Sequence, residues 1–137
     1  CLRSANAAGV DTVLLPKRRI APLSSTVMRV AQGGCEELTL VETGNIARTL
    51  KWLREKGVWI IGADATGGSI WESNVDNRSL ALVIGDEGKG LRRLTKELCD
   101  EMVGIPMFGT VESLNVSVAT GVLLFELRRK TAHTASS

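Results

Sequence analysis

Leu80-Ala81-Leu82-Val83-Ile84-Gly85-Asp86-Glu87-Gly88-Lys89-Gly90 is the stretch on which the fold turns. Its apolar run is short, bounded by glycine and without a polar position, so Leu80 to Ile84 reads as a strand covered on both faces. The glycines that follow let a backbone approach a ligand closely and expose amide groups. Lys89 is followed by Gly90 and not by a hydroxyl residue, so this is not a P-loop, and the order G-x-x-G-x-G is not the dinucleotide fingerprint. A plain strand-to-helix turn accounts for the glycines alone. Glu87 fits such a turn less well, because an acid between glycines at a strand's carboxyl end adds nothing to a core.

The same alternation continues on either side. Val10 to Leu15 (ended by Pro16), Leu38 to Val41, Val58 to Gly62 and Val103 to Pro106 read as further strands. Pro22 opens an expected helix with Leu23, Val27, Val30 and Ala31 on one face, stopped at Gly33-Gly34. Asn45 to Lys56 is a second helix, carrying Ile46, Leu50 and Leu53 and closed by Gly57. Leu91 to Cys99 is a third, and Ser113 to Lys130 the longest. Cys1 to Ala8 reads as the last turns of a helix closed by Gly9, so the chain is expected to be a fragment; Thr131 to Ser137 is an expected polar, frayed tail. The whole is a single α/β domain with a mostly parallel sheet and helices on both faces. Ligands in such sheets bind beyond the carboxyl ends of the strands. The loops concerned are Lys17-Arg18-Arg19, Ala63 to Gly68, Gly85 to Gly90 and Met107 to Glu112.

Composition narrows the function. With 137 residues of which 44% are hydrophobic, the chain builds one core and is not a disordered segment. Seventeen basic and fifteen acidic residues leave a net charge of +2, so any nucleic-acid contact must come from local clusters. Lys17-Arg18-Arg19 lies where phosphate contact is expected. Arg128-Arg129-Lys130 stands at a helix C-terminus, where cations suit the macrodipole without any function. No apolar stretch approaches the roughly 18 residues of a membrane span. Cys1, Cys35 and Cys99 are odd in number and form no CxxC pair, which excludes a zinc ribbon and points to a reducing, cytoplasmic setting. The one histidine, His133, excludes a serine or cysteine triad and a multi-histidine metal site; no metal is expected.

Ile105-Pro106-Met107-Phe108-Gly109-Thr110-Val111-Glu112-Ser113-Leu114-Asn115-Val116-Ser117 is the second informative stretch. A proline cuts a strand, and a loop enters a helix that begins with small polar residues. Ser113 is the expected N-cap, and capping accounts for one of Ser113, Asn115 and Ser117 but not all three. Ala119, Thr120 and Gly121 indicate another backbone packed closely on this helix. Val118, Val122 and Phe125 are expected to divide between the core and a subunit interface. Arg3 by itself reads as a solvated surface arginine.

Taken together, Leu2-Arg3-Ser4-Ala5, Leu82 through Leu91, and Ile105-Pro106-Met107 through Ser113-Leu114-Asn115-Val116-Ser117-Val118-Ala119 resemble the SpoU (TrmH-like) RNA 2′-O-ribose methyltransferases. The nearest subgroup is that of the bacterial enzymes methylating a guanosine in large-subunit rRNA. The likeness runs to about Arg129. It implies an α/β catalytic domain over residues 1–130, lacking the first strand and part of the first motif, with a C-terminal deep trefoil knot. It also implies S-adenosylmethionine as methyl donor, RNA as substrate and a homodimer with its active site near the interface. By motif position, Ala63, Asp64, Gly85, Ile105, Met107 and Leu114 hold the cofactor. Arg3, Glu87, Ser113 and Asn115 fall at catalytic positions, and Lys17, Arg18 and Arg19 at RNA-binding ones. As a guanidinium, Arg3 is better read as a cation beside the ribose hydroxyl than as a base, a deprotonated Arg3 being the bolder version. A tRNA 2′-O-methyltransferase, a non-catalytic RNA-binding homologue and a nucleotide-binding α/β domain are the competing readings. The last lacks any phosphate fingerprint.

Overall fold

The computed structural model describes residues 2–16, 25–30, 38–75, 79–85, 91–111 and 114–136. Strands β1 (Val10–Pro16), β2 (Thr26–Val30), β3 (Thr39–Thr43), β4 (Trp59–Ser69), β5 (Leu80–Ile84) and β6 (Glu101–Gly104) form one sheet in the order β3-β1-β2-β5-β4-β6. Helices α1 (Leu2–Ala7), α2 (Ile46–Glu55), α3 (Arg93–Leu98) and α4 (Val116–Ser136) cover it.

The two faces of the sheet follow from strand alternation. Leu80, Leu82 and Ile84 join Met28, Val30, Val10 and Val13 under Ala5 and Ala8 of α1 and Leu123, Leu124 and Leu127 of α4. Ala81 and Val83 turn the other way, with Val27 and Ile60, under Leu50 and Leu53 of α2 and Leu98 of α3. All five residues of β5 are buried, as their unbroken apolar run requires. The result is a three-layer sandwich: α1 and α4 on one side, α2 and α3 on the other.

The sheet is mixed. β1 pairs with β3, and β4 with both β5 and β6, in parallel; β2 runs antiparallel to β1 and to β5. Five strands therefore point one way and β2 alone points back. This corrects the helix expected from Pro22: Leu23 and Ala31 lie outside the described residues, and Val27 and Val30 lie in a strand. Their spacing fits a helical face, but β-branched Thr26, Val27 and Val30 suit a pleated ribbon better. Period two also satisfies both cores at once, since Val27 enters one while Met28 and Val30 enter the other.

Helix ends follow local chemistry. The side chain of Asn45 accepts from Arg48 N–H at 3.0 Å and caps α2. Gly9 and Gly57, which close α1 and α2, both have φ of +84°. The last helix does not stop at Lys130. It continues to Ser136, and Thr131 is buried with its hydroxyl donating to Leu127 O at 3.0 Å, so the frayed tail expected from Thr131 is corrected.

Candidate active site

Because β4 lies between β5 and β6 and parallel to both, their carboxyl ends stand side by side. Gly62 registers with Val83 and with Met102, and Ala63 with Val103. Gly85, directly after β5, and Ile105 and Met107, after β6, thus open at the same edge as Ala63 and Asp64. Three stretches distant in sequence are brought together by strand register alone.

The segment from Ala63 to Gly68 was expected to be a loop, and it is part of β4. Both Ala63 and Gly68 register with Val103, so Asp64 to Gly67 are extruded as a wide bulge. A Cβ on Gly104 would come within 2.6 Å of Asp64 O, so the strand opposite the bulge tolerates no side chain there. Asp64 Oδ1 accepts from the N–H and the hydroxyl of Thr66, each at 3.0 Å, and Oδ2 receives Lys96 Nζ of α3 at 2.9 Å. The Thr66 amide first and the Lys96 ammonium second hold the Asp64 carboxyl below its usual range. Both its oxygens have partners within the chain, so Asp64 fixes the shape of the bulge. Lys96 was not singled out in the sequence; the spacing of Asp64 and Thr66, fitting an Asx turn, was the readable half of this unit.

At the start of α4 the cap is Asn115, not Ser113. Asn115 Oδ1 accepts from Val118 N–H at 2.8 Å and the helix starts at Val116. That leaves the Asn115 amide NH₂ as a donor. Ser113 and Glu87 lie outside the described residues, as do Lys17, Arg18 and Arg19. Leu114 is exposed, while Ile105, Met107 and Gly85 are half-buried.

Arg3 reaches this edge through helix packing. A Cβ on Gly121 of α4 would stand 3.7 Å from Ser4 Oγ of α1, so the two helices touch there through a side chain at ordinary contact distance. One residue past the end of α1, Arg128 Nε donates to Ala8 O at 2.8 Å and Nη2 to Gly9 O at 2.9 Å. Ser4 of α1 and Ala8 just past its end therefore face residues 121 and 128 of α4: the two helices run parallel. Their N-terminal ends, carrying Arg3 and Asn115, meet the same edge of the molecule. Arg3 is exposed. A Cβ on Gly9 would come within 2.7 Å of Arg128 Nη2, so Gly9 serves both the positive φ and the arginine's approach.

This corrects the macrodipole reading of residues 128–130. Arg128 caps the end of a different helix, and partial burial lowers its pKa. Arg129 pairs with Glu126, and Lys130 donates to Trp71 O at 3.2 Å.

Comparison with known proteins identifies the family. Residues 1–125 match the SpoU rRNA Methylase family. Over 131 residues the chain is 51% identical to the 23S rRNA (guanosine-2′-O-)-methyltransferase RlmB of Escherichia coli (strain K12), and 53% identical to that of Vibrio cholerae. The alignments take in 95% of this chain, which spans only about half (54% and 53%) of those relatives. Among solved structures, the TrmH/SpoU tRNA modifying enzyme of A. aeolicus superposes with a TM-score of 0.76 at 26% identity, covering 98% of this chain and 68% of that one. The family match runs from α1 through all six strands into the first half of α4, and the chain belongs to the SpoU rRNA methylase family.

Proposed function

We propose that this chain is the catalytic domain, over residues 1–130, of an S-adenosylmethionine-dependent enzyme that methylates a ribose 2′-hydroxyl, that of a guanosine in large-subunit rRNA. The observation that carries the reading is the parallel alignment of α1 with α4, which brings the ends holding Arg3 and Asn115 to the edge where β4, β5 and β6 finish. The names of the rRNA-modifying relatives support the substrate.

The residues at that edge fit the cofactor. A nucleoside needs an apolar wall and a few convergent polar groups. Ile105, Met107 and Leu114 offer apolar surface, Gly85 leaves its backbone unshielded, and Ala63 stands beside them at the end of regular β4 pairing. When bound, S-adenosylmethionine supplies an electrophilic methyl group on a sulfonium sulfur.

The remaining work falls to the protein. In-line attack demands fixed orientation, so positioning supplies much of the rate. The Arg3 guanidinium stabilises negative charge growing on the ribose oxygen. The free NH₂ of Asn115 and the hydroxyl of Ser113 orient ribose or cofactor. Glu87 anchors Arg3 or a loop amide. Lys17, Arg18 and Arg19 hold phosphates. The family's C-terminal trefoil knot belongs to this reading, as do a cytoplasmic setting and a homodimer with the site near its interface. The dimer is supported by apolar side chains left in water: Phe108 at 92% exposed, Leu114 just before α4, and Val118 and Phe125 along one side of it.

Isothermal titration with S-adenosylmethionine, followed by methyl transfer to an rRNA transcript, tests the proposal. Gly85→Val should lose cofactor binding with an unchanged circular dichroism spectrum. Arg3→Ala should keep cofactor binding and lose transfer about a hundredfold or more, as removal of a stabilising donor does. Full transfer by Arg3→Ala overturns the assigned role.

A further inference from the structure

We infer that the outer face of α2 and α3 is a second RNA-contact surface, on which Arg48, Lys51, Lys56 and Arg92 take backbone phosphates and Trp52 stacks on an unpaired base. The inference rests on the reading of the chain as an RNA-modifying enzyme and adds where the RNA lies outside the site.

Sequence and burial separate the two sides of α2. Leu50 and Leu53 are buried, whereas Arg48, Lys51, Trp52 and Lys56 are exposed. Arg48, Lys51 and Trp52 stand at helical spacing on one side. α3 packs beside α2 and turns Arg92 and Arg93 to water. Arg54, Arg93 and Lys96 have acidic partners in Asp100, Glu97 and Asp64. Among the described residues, no acid lies within ion-pair distance of Arg48, Lys51, Lys56 or Arg92. Arg48 and Lys51, three residues apart, repel, and Glu55, exposed on the same face four residues after Lys51, offsets only part of that positive charge. The opposite helix layer differs: Arg128 is spent on Ala8 and Gly9, and Arg129 and Lys130 on Glu126.

Trp52 gives the face its chemistry. The residue is 55% exposed, opposite the buried Leu50 and Leu53, with Lys56 Nζ 5.5 Å from its ring centroid. A large ring held in water among unpaired cations contributes little to a core and matches the combination that binds single-stranded nucleic acid. An acidic protein surface would meet the cations but has no use for an exposed indole.

Topology connects this face to the site. α2 follows β3, and α3 follows β5 and Gly85, so both helices begin at the edge where the parallel strands finish. The Lys96–Asp64 pair joins α3 to the bulge of β4. RNA entering the site runs from that rim across Arg92 to Arg48 and Lys51.

Fluorescence anisotropy on the full chain, with a labelled single-stranded RNA and a labelled RNA hairpin, tests this. Arg48→Gln/Lys51→Gln should weaken both probes about tenfold between about 50 and 200 mM salt and lower the salt slope by about two. Trp52→Ala should weaken the single strand about tenfold and the hairpin little, with Trp52→Phe restoring the difference. S-adenosylmethionine titration should be unchanged in all three variants. Unchanged RNA affinity and slope in the variants overturn the inference, and are the result expected if the face takes an acidic protein. An unmutated chain that binds S-adenosylmethionine but neither RNA also overturns it, leaving the methyltransferase reading standing. Loss of both bindings overturns both.

Discussion

Asp64 shows how one side chain can hold the shape of a strand end. Its carboxylate is held by the Thr66 amide and by Lys96, both favouring the charged form. A carboxyl whose pKa is lowered on folding adds stability above its unfolded value, near 3.9, and loses it as pH falls through the folded value. Asp64→Asn should therefore cost about 0.5–1 kcal/mol at pH 7, Lys96 being half in water, and nothing below both pKa values. Urea unfolding of both proteins at neutral and strongly acidic pH checks this. Cys99 follows opposite physics: burial first, then the charge of Asp100, pushes its thiol up to about 11. With Cys1 and Cys35 replaced by serine, Ellman's reagent at pH 8 should leave the remaining thiol essentially unreacted until denaturant is added.

At the scale of elements, two contacts decide where chemistry-bearing groups stand. Arg128 locks the end of α1 to α4 through two carbonyl bonds. Arg128→Met should destabilise the fold by about 1.5–3 kcal/mol, the usual worth of hydrogen bonds from a charged donor, and Arg128→Lys should restore only part, because an ammonium lacks the fork. Thermal and urea melts measure both. β2 is the other case. Its residues carry a helical spacing and a strand alternation at once, and only the partners β1 and β5 choose between them. Met28→Pro removes a ladder donor from an interior strand and should cost about 1–3 kcal/mol in urea unfolding, whereas an exposed loop would absorb it.

For the whole molecule, the exposed Phe108, Leu114, Val118 and Phe125 set an expectation about assembly. Static light scattering at micromolar concentration should return twice the chain mass, and Val118→Asp/Phe125→Asp should return one chain mass with the circular dichroism spectrum kept. A monomer before mutation contradicts the dimer.

Strand β5, helix α2 with its Asn45 cap, and the glycines closing α1 and α2 were all legible in the sequence, because each is fixed by residues within one turn or one alternation of itself. The partner of Asp64, the direction of β2 and the use of Arg128 were not legible. Each depends on residues far apart in the chain, and Arg128 reaches its carbonyls across about 120 positions. Local periodicity carries no term for that distance; only the closing of the sheet and the packing of α4 on α1 assign those partners.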